Sequence, residues 1–365
     1  MATLMQASAQ WASRPDDQRF TSLPEMLQRM EFNRDHSHAR VVSSRRIGLE
    51  PVGTDHRGLV AVVGDSEVYA PTHYSFGQLA QLAEAPAGYL RTLPSEITAD
   101  AINFGMRFKR QAADVGVLLY ENGTTELRAA TGPNYGRIWN ADIVSSLIHH
   151  IGDGITGDWK VPGIFGEDIE VDKHNTTLYA SDRDMFVFLA DEKRRIEMPN
   201  RRHGEPGSLA RGFFVWNSEV GDKTFGIATF LFDYVCGNRI VWGAEGFKEI
   251  RIRHTSSAPD KWLEEVKPAL LAYAASTEST VLDTVKAAQR QKVDELDDFL
   301  SKRFSLSKNK VAAIKAVHEL EEGRPMETLW DVATGITAYA KGVQYQDERV
   351  ELERLGGSAL NMAVA

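Results

Sequence analysis

Cysteine is nearly missing from this chain: Cys236 is the single thiol among 365 residues. One thiol closes no internal disulfide, which fits a reducing compartment, and a chain of this length buries enough core to fold without one. Long apolar runs are missing too. A stretch such as Ile227 to Val235 falls far short of the ~20 residues that span a bilayer. The segment Met1 to Arg14 has neither a basic start nor an apolar run, so no secretory leader is expected and the cytoplasm is the expected location. Positive charge is in deficit: the net charge of −9 argues against general attraction to duplex phosphate.

The common catalytic signatures are absent as well. No Gly-Lys-Ser/Thr triplet occurs, which excludes a Walker phosphate loop, and no His-Glu-x-x-His occurs. The run Gly152 to Gly157 matches G-x-G-x-x-G. That fingerprint needs a strand before it and a helix after it. Here a helical segment precedes it and Pro162 follows it closely, so it reads as a loop. His36 with His38, and His149 with His150, lack the third partner that zinc requires. Cys236 sits in an apolar run and reads as a small core residue. No cofactor is expected.

What is present is an ordinary globular composition, 42% hydrophobic and 25% charged. The pattern of residues predicts an α+β fold with an antiparallel or mixed β-sheet core, short N-terminal helices and a helical C-terminal third. The expected organisation is an N-terminal arm over 1–38, a β-rich region over 39–260, helices packed on it over 261–350, and a tail over 351–365. Ile97, Ala101, Phe104 and Phe108 recur at helical spacing on one face of a predicted helix from Pro94 to Arg110. Asn122-Gly123 between two strand-like runs predicts a tight hairpin. From Asn175 to His254, β-branched and aromatic residues predominate. After Pro259 the period becomes helical, as in Trp262, Val266, Leu270 and Tyr273.

Two groups of residues suggest chemistry. Asp168, Glu170 and Asp172 alternate along one expected strand face, with Asp182, Asp184 and Glu219 near enough in sequence to join them. Such carboxylates could hold Mg²⁺ for a nuclease, or form a solvated face. The second group is basic. Lys193, Arg194, Arg195, Arg201, Arg202 and Arg211 crowd a Gly- and Pro-containing segment, read as a long loop or extended hairpin, with Phe214 and Trp216 close by. The block 175–254 is the one stretch with net positive charge. Arginines fork onto phosphate oxygens and aromatics stack on bases, as single-strand binders require. The alternative is a connection whose arginines pair with acids of the same chain.

The segments Asn175 to Asp191, Phe214 to Gly221 and Leu231 to Arg239, above all their Asn-Ser-Glu-Val-Gly and Val-Cys-Gly-Asn elements, resemble the phage/plasmid-like proteins that carry domain of unknown function 932. Thr328-Leu-Trp330 and Thr337-Ala-Tyr339 in the helical tail look like that family too. The resemblance runs from about residue 60 to 350. It implies a gene carried by a phage, plasmid or integrated element, and brings no catalytic residue with it. The expectation is therefore a nucleic-acid-handling accessory protein, annealing-like by analogy, that binds single-stranded DNA through the arginine-rich segment. It would act as a homo-oligomer, with no membrane and no small-molecule cofactor. The alternatives are a structural or host-interaction protein, whose helices after Trp262 would make oligomer contacts, and the metal-dependent nuclease.

Overall fold

A computed structural model describes residues 14–109, 111–162, 170–174, 176–198, 206–233, 238–241, 250–275, 279–343 and 346–363. The chain opens on a two-residue strand β1 (Arg19–Phe20), then enters α1 (Leu23–Asp35). Ser22 caps that helix by accepting from Glu25 N, and Pro24 sits in its first turn. Next come β2 (Ser37–Ser43), β3 (Ile47–Val52), β4 (Gly58–Val63) and β5 (Glu67–Pro71). The helices α2 (His73–Leu82), α3 (Ala87–Leu90) and α4 (Ser95–Phe104) follow, the last running into a π-turn, Gly105–Lys109. The predicted hairpin forms as β6 (Asp114–Glu121) and β7 (Thr125–Thr131), with Gly123 at φ +66° in its turn. These strands make a mixed sheet in the order β2-β6-β7-β5-β4-β3, with β5 and β7 parallel. Ile102 and Met106 from the α4 segment and Phe76 and Leu79 of α2 fill its core.

The helix α5 (Asn140–Ile151) leads into the second sheet, whose strands are β8 (Trp159–Lys160), β9 (Leu178–Ala180), β10 (Met185–Asp191), β11 (Ile196–Met198), β12 (Gly207–Asn217), β13 (Phe225–Asp233), β14 (Asn238–Val241) and β15 (Ile250–Ile252). This sheet is antiparallel and runs β1-β9-β10-β12-β13-β14, with β8 on β10, β11 on β12 and β15 on β13. Every residue of β10 and β13 is buried. Both faces of the sheet are therefore covered, which is why these strands read as continuous rather than alternating apolar runs.

The last third is helical: α6 (Ala258–Lys261), α7 (Lys267–Ala275), α8 (Ser279–Arg290), α9 (Leu296–Arg303), α10 (Lys308–Glu322), α11 (Leu329–Lys341) and α12 (Gln346–Asn361). Helix continues past residue 350, where a tail was expected. Trp262, Val266, Leu270 and Tyr273 pack with α1 and α5 against Val187, Leu189, Phe213 and Val215. The later helices form a separate core around Trp330 that takes in Ile196, Met198, Leu209 and Leu231 from the sheet. A reciprocal capping box, Thr328 with Asp331, starts α11. Among the described residues no helix is long and apolar enough to cross a membrane. The architecture is α+β, as predicted.

One apolar face points outward. Ile97, Phe104 and Phe108 do share a side of the α4 segment, but it points outward, at 53%, 54% and 72% exposure. Thr98, Ala99 and Ile102 on the opposite side carry the packing.

Candidate functional site

Of the two forms read for the basic segment, a long loop or an extended hairpin, the described residues fit the second, with β11 antiparallel to β12. β10 and β11 both pair with β12, and the turn Glu192–Arg195 interrupts what is otherwise one strand. Arg211 lies inside β12, paired with Leu231 of β13, so its backbone has no loop character. Its guanidinium is buried between the rings of Trp159 and Tyr273, each 5.3 Å from its carbon. Nε and Nη2 donate to Asp191 Oδ2 at 3.1 and 2.9 Å, and Nη1 and Nη2 donate to the carbonyls of Tyr273 and Ala274. A side chain held this way has no face left for phosphate.

The other cations of the turn pair within the chain. Lys193 meets Asp158 at 3.4 Å, Arg194 stands 3.8 Å from Asp191, and Arg195 is bridged to Glu192. Lys193 and Arg194 are nonetheless exposed, at 67% and 41% of their side chains. Arg201 and Arg202 lie outside the described residues. Phe214 and Trp216 point to the other face of the sheet from Arg211, because side chains alternate along a strand. Trp216 is also five residues further along β12, about 17 Å at ~3.4 Å per residue. Among the described residues, Arg211 is thus separated from the aromatic half of the predicted site.

The carboxylates do not gather into a metal site among the described residues. Asp168 and Cys236 lie outside the described residues. Asp172 caps its own turn, accepting from His174 N at 2.7 Å. Asp184 is buried against Arg14 at 2.9 Å, where burial pushes its carboxyl above the usual range despite that partner. Glu219 accepts from Arg128 Nη2 at 3.1 Å and from Asn140 N at 2.9 Å. Among the described residues no three His, Cys, Asp or Glu side chains are placed to hold a metal ion. His36 Nδ1 contacts Phe32 O within its own helix, and His149 and His150 contact each other on the end of α5.

The Asn-Ser-Glu-Val-Gly run is a buried joint between the sheets. Asn217 Nδ2 donates to Ile138 O and Asn140 Oδ1, both at 2.8 Å. Tyr135 OH donates to Ser218 O, Arg137 Nε to Glu219 O, and Gln78 Nε2 to Val220 O. Gly221 takes φ +92° to turn the chain out. Arg128 comes from β7, so the Arg128–Glu219 pair ties the first sheet to the second. Beside this joint lies a cleft of about 320 Å³, lined among others by Arg29, Tyr120, Glu126, Arg128 and Asp182. Burial raises the Glu126 carboxyl, and the charge of Asp182 raises it further; burial raises Asp182 against the pull of Arg128 and Arg183.

Phe214 and Trp216 do meet cations, though not those named by sequence proximity. With Phe186 they floor a pocket of about 190 Å³ whose walls are Lys223 and Thr224 just before β13, Arg251 of β15, and Asp347, Val350, Glu351 and Arg354 of α12. The guanidinium carbons of Arg251 and Arg354 stand 5.8 and 5.5 Å from the Trp216 ring centroid. Lys223 Nζ is 5.7 Å from the Phe186 ring and 2.7 Å from Asp347. Arg354 is paired with Glu351. Behind the pocket, Phe188, Phe214 and Trp216 form a ladder with centroids 5.0 and 5.2 Å apart. Arg251 and Arg354 lie 35 and 138 positions beyond Trp216 in the chain, so no local pattern could have joined them to it.

The family model for Domain of unknown function (DUF932) matches residues 165–362. The chain belongs to this family. The DUF932 region takes in the second sheet from β9 onward and all the C-terminal helices, and so contains the Trp216 pocket and the basic turn. The first sheet lies outside the match, so the resemblance seen from about residue 60 is matched only from 165 onward. No curated protein and no solved structure matches the chain.

Proposed function

We propose that this DUF932 protein is a nucleic-acid-handling accessory protein of a phage, plasmid or integrated element, and that it holds single strands at the Trp216 pocket. The observation that carries the reading is the indole of Trp216 with Arg251 and Arg354 set over it in an open pocket beside Lys223. With Trp216 only 6% exposed, each cation–π contact contributes up to ~2 kcal/mol, within the ~1–3 kcal/mol that stacking a base on an aromatic ring contributes. A base can therefore displace one guanidinium from the ring, and the freed arginine can fork onto the adjoining phosphate. Asp347 and Glu351 now balance Lys223 and Arg354. Pairs at the surface are worth only ~0–1 kcal/mol and exchange readily for phosphate. Lys193 and Arg194 would add a weaker contact further along the sheet. A duplex presents no free base face, and the net charge of −9 repels it, so the preference is for single strands.

The test is fluorescence anisotropy with a labelled oligo-dT at about 50 and 200 mM salt, across which phosphate contacts lose affinity. Arg251→Ala and Arg354→Ala should each weaken binding more than Lys193→Ala. An absence of binding at the lower salt, or affinity indifferent to both arginines, refutes the proposal.

A further inference from the structure

The outward face of α4 has no role in the fold, and its chemistry points to a partner. Ile97, Phe104 and Phe108 are more than half exposed, and the rings of Phe104 and Phe108 touch with centroids 5.3 Å apart. Apolar side chains gathered on one surface in this way mark interaction sites, whereas scattered ones do not. By contrast, the described helices after Trp262 turn most of their apolar side chains into the fold, with Leu263 and Leu320 exposed singly.

Charge identifies the occupant. Asp100 and Arg107 are exposed, and neither has an ion-pair partner among the described residues. Asp100 lies one turn after Ile97, and Arg107 one turn after Phe104, so both border the apolar stripe. They are seven residues apart, about 10 Å along the axis at 1.5 Å per residue. The acid is toward the start of the segment and the base toward its end. A second copy laid antiparallel across a twofold axis near Asn103 and Phe104 stacks stripe on stripe. It sets Asp100 of each copy against Arg107 of the other, two identical ion pairs generated by one symmetry operation. A surface that is complementary to itself fits a second copy of this chain better than an unrelated partner.

We propose that this face of α4 and its π-turn is the interface of an antiparallel homodimer. The inference does not depend on nucleic-acid binding. One helix per copy buries less than the ~1,200 Å² of stable complexes, so the dimer forms at protein concentrations on the order of micromolar or above. Sedimentation velocity of the full chain over a hundredfold concentration range reads it directly. Phe108→Asp should give a monomer at every concentration with an unchanged melting temperature, because Phe108 is 72% exposed in the single chain. Asp100→Lys and Arg107→Glu should each raise the dimer dissociation constant about tenfold or more, since like charges then oppose twice across the axis. The double reversal should restore it to within about threefold. A wild-type monomer throughout overturns the proposal, as does a dimer indifferent to Phe108→Asp. Failure of the double reversal to rescue overturns the antiparallel arrangement.

Discussion

Replacing Arg211 with alanine tests the structural reading of the basic segment most directly. Arg211 and Asp191 have side chains 3% and 2% exposed, and the guanidinium spends its donors on one carboxylate oxygen and two carbonyls. Truncation leaves the Asp191 charge buried with Arg194 at 3.8 Å as its other cation. Removing one partner of a buried pair costs ~3–5 kcal/mol. Whole domains hold only ~5–15 kcal/mol, so a loss near 4 kcal/mol lowers the melting temperature by roughly 5–10 °C. Had Arg211 sat on a solvated loop, its replacement would have changed stability by about 0.5 kcal/mol or less. Arg211→Lys keeps the charge but not the planar fork and should fall between. The double variant Arg211→Met with Asp191→Leu should recover most of the loss, because an apolar pair needs no compensation for desolvation. Urea unfolding followed by circular dichroism measures all three. Arg211→Ala at wild-type stability, or a double variant no better than the single one, refutes the argument.

Three further outcomes follow from the geometry. Glu219→Ala leaves Arg128 buried at the joint between the sheets, so it should cost ~3–5 kcal/mol and split the unfolding curve into two transitions. Glu219→Gln, which keeps an acceptor for Asn140 N, should cost less; equal losses would show that the charge is unimportant. Gly226→Ala should destabilise by ~1–3 kcal/mol, because a methyl there lands in the Trp216 ring, and unchanged stability would contradict the packing of that pocket. Burial, with the charges of Arg91 and Arg183, pushes His73 from 6.5 down to about 4. The folded form therefore resists protonation while the unfolded form does not. That stability is present above pH 6.5 and is lost as the pH falls through about 4. His73→Gln should lose less stability than wild type between pH 7 and pH 5 in denaturant titrations, and an identical loss would exclude the effect.

Much of the fold was legible because it rests on local pattern. Asn122-Gly123 predicts its hairpin through positive φ, and the helical spacing of Trp262, Val266, Leu270 and Tyr273 predicts the side that packs. Where local pattern is degenerate, it misleads. The α4 segment has apolar residues on both sides, and spacing cannot say that Ile102 goes inward while Phe104 and Phe108 go outward. The chain near Arg211 has the glycines of a loop, yet Gly207 and Gly212 lie within the long strand β12. Proximity in sequence also grouped Arg211 with Trp216, although strand alternation puts them on opposite faces.

The α+β class, the helical C-terminal third and the family can all be read from the chain, since each depends on residue periodicity or on runs of contiguous residues. Only the tertiary structure decided which charges are free and which are spent. Arg211 is consumed by Asp191, Arg128 by Glu219 and Arg14 by Asp184, all across long stretches of chain. Trp216 acquires Arg251 and Arg354 in the same way. A buried ion pair forms between whichever groups folding brings within reach. That juxtaposition belongs to the packing of the sheets and helices and has no local signature in the chain.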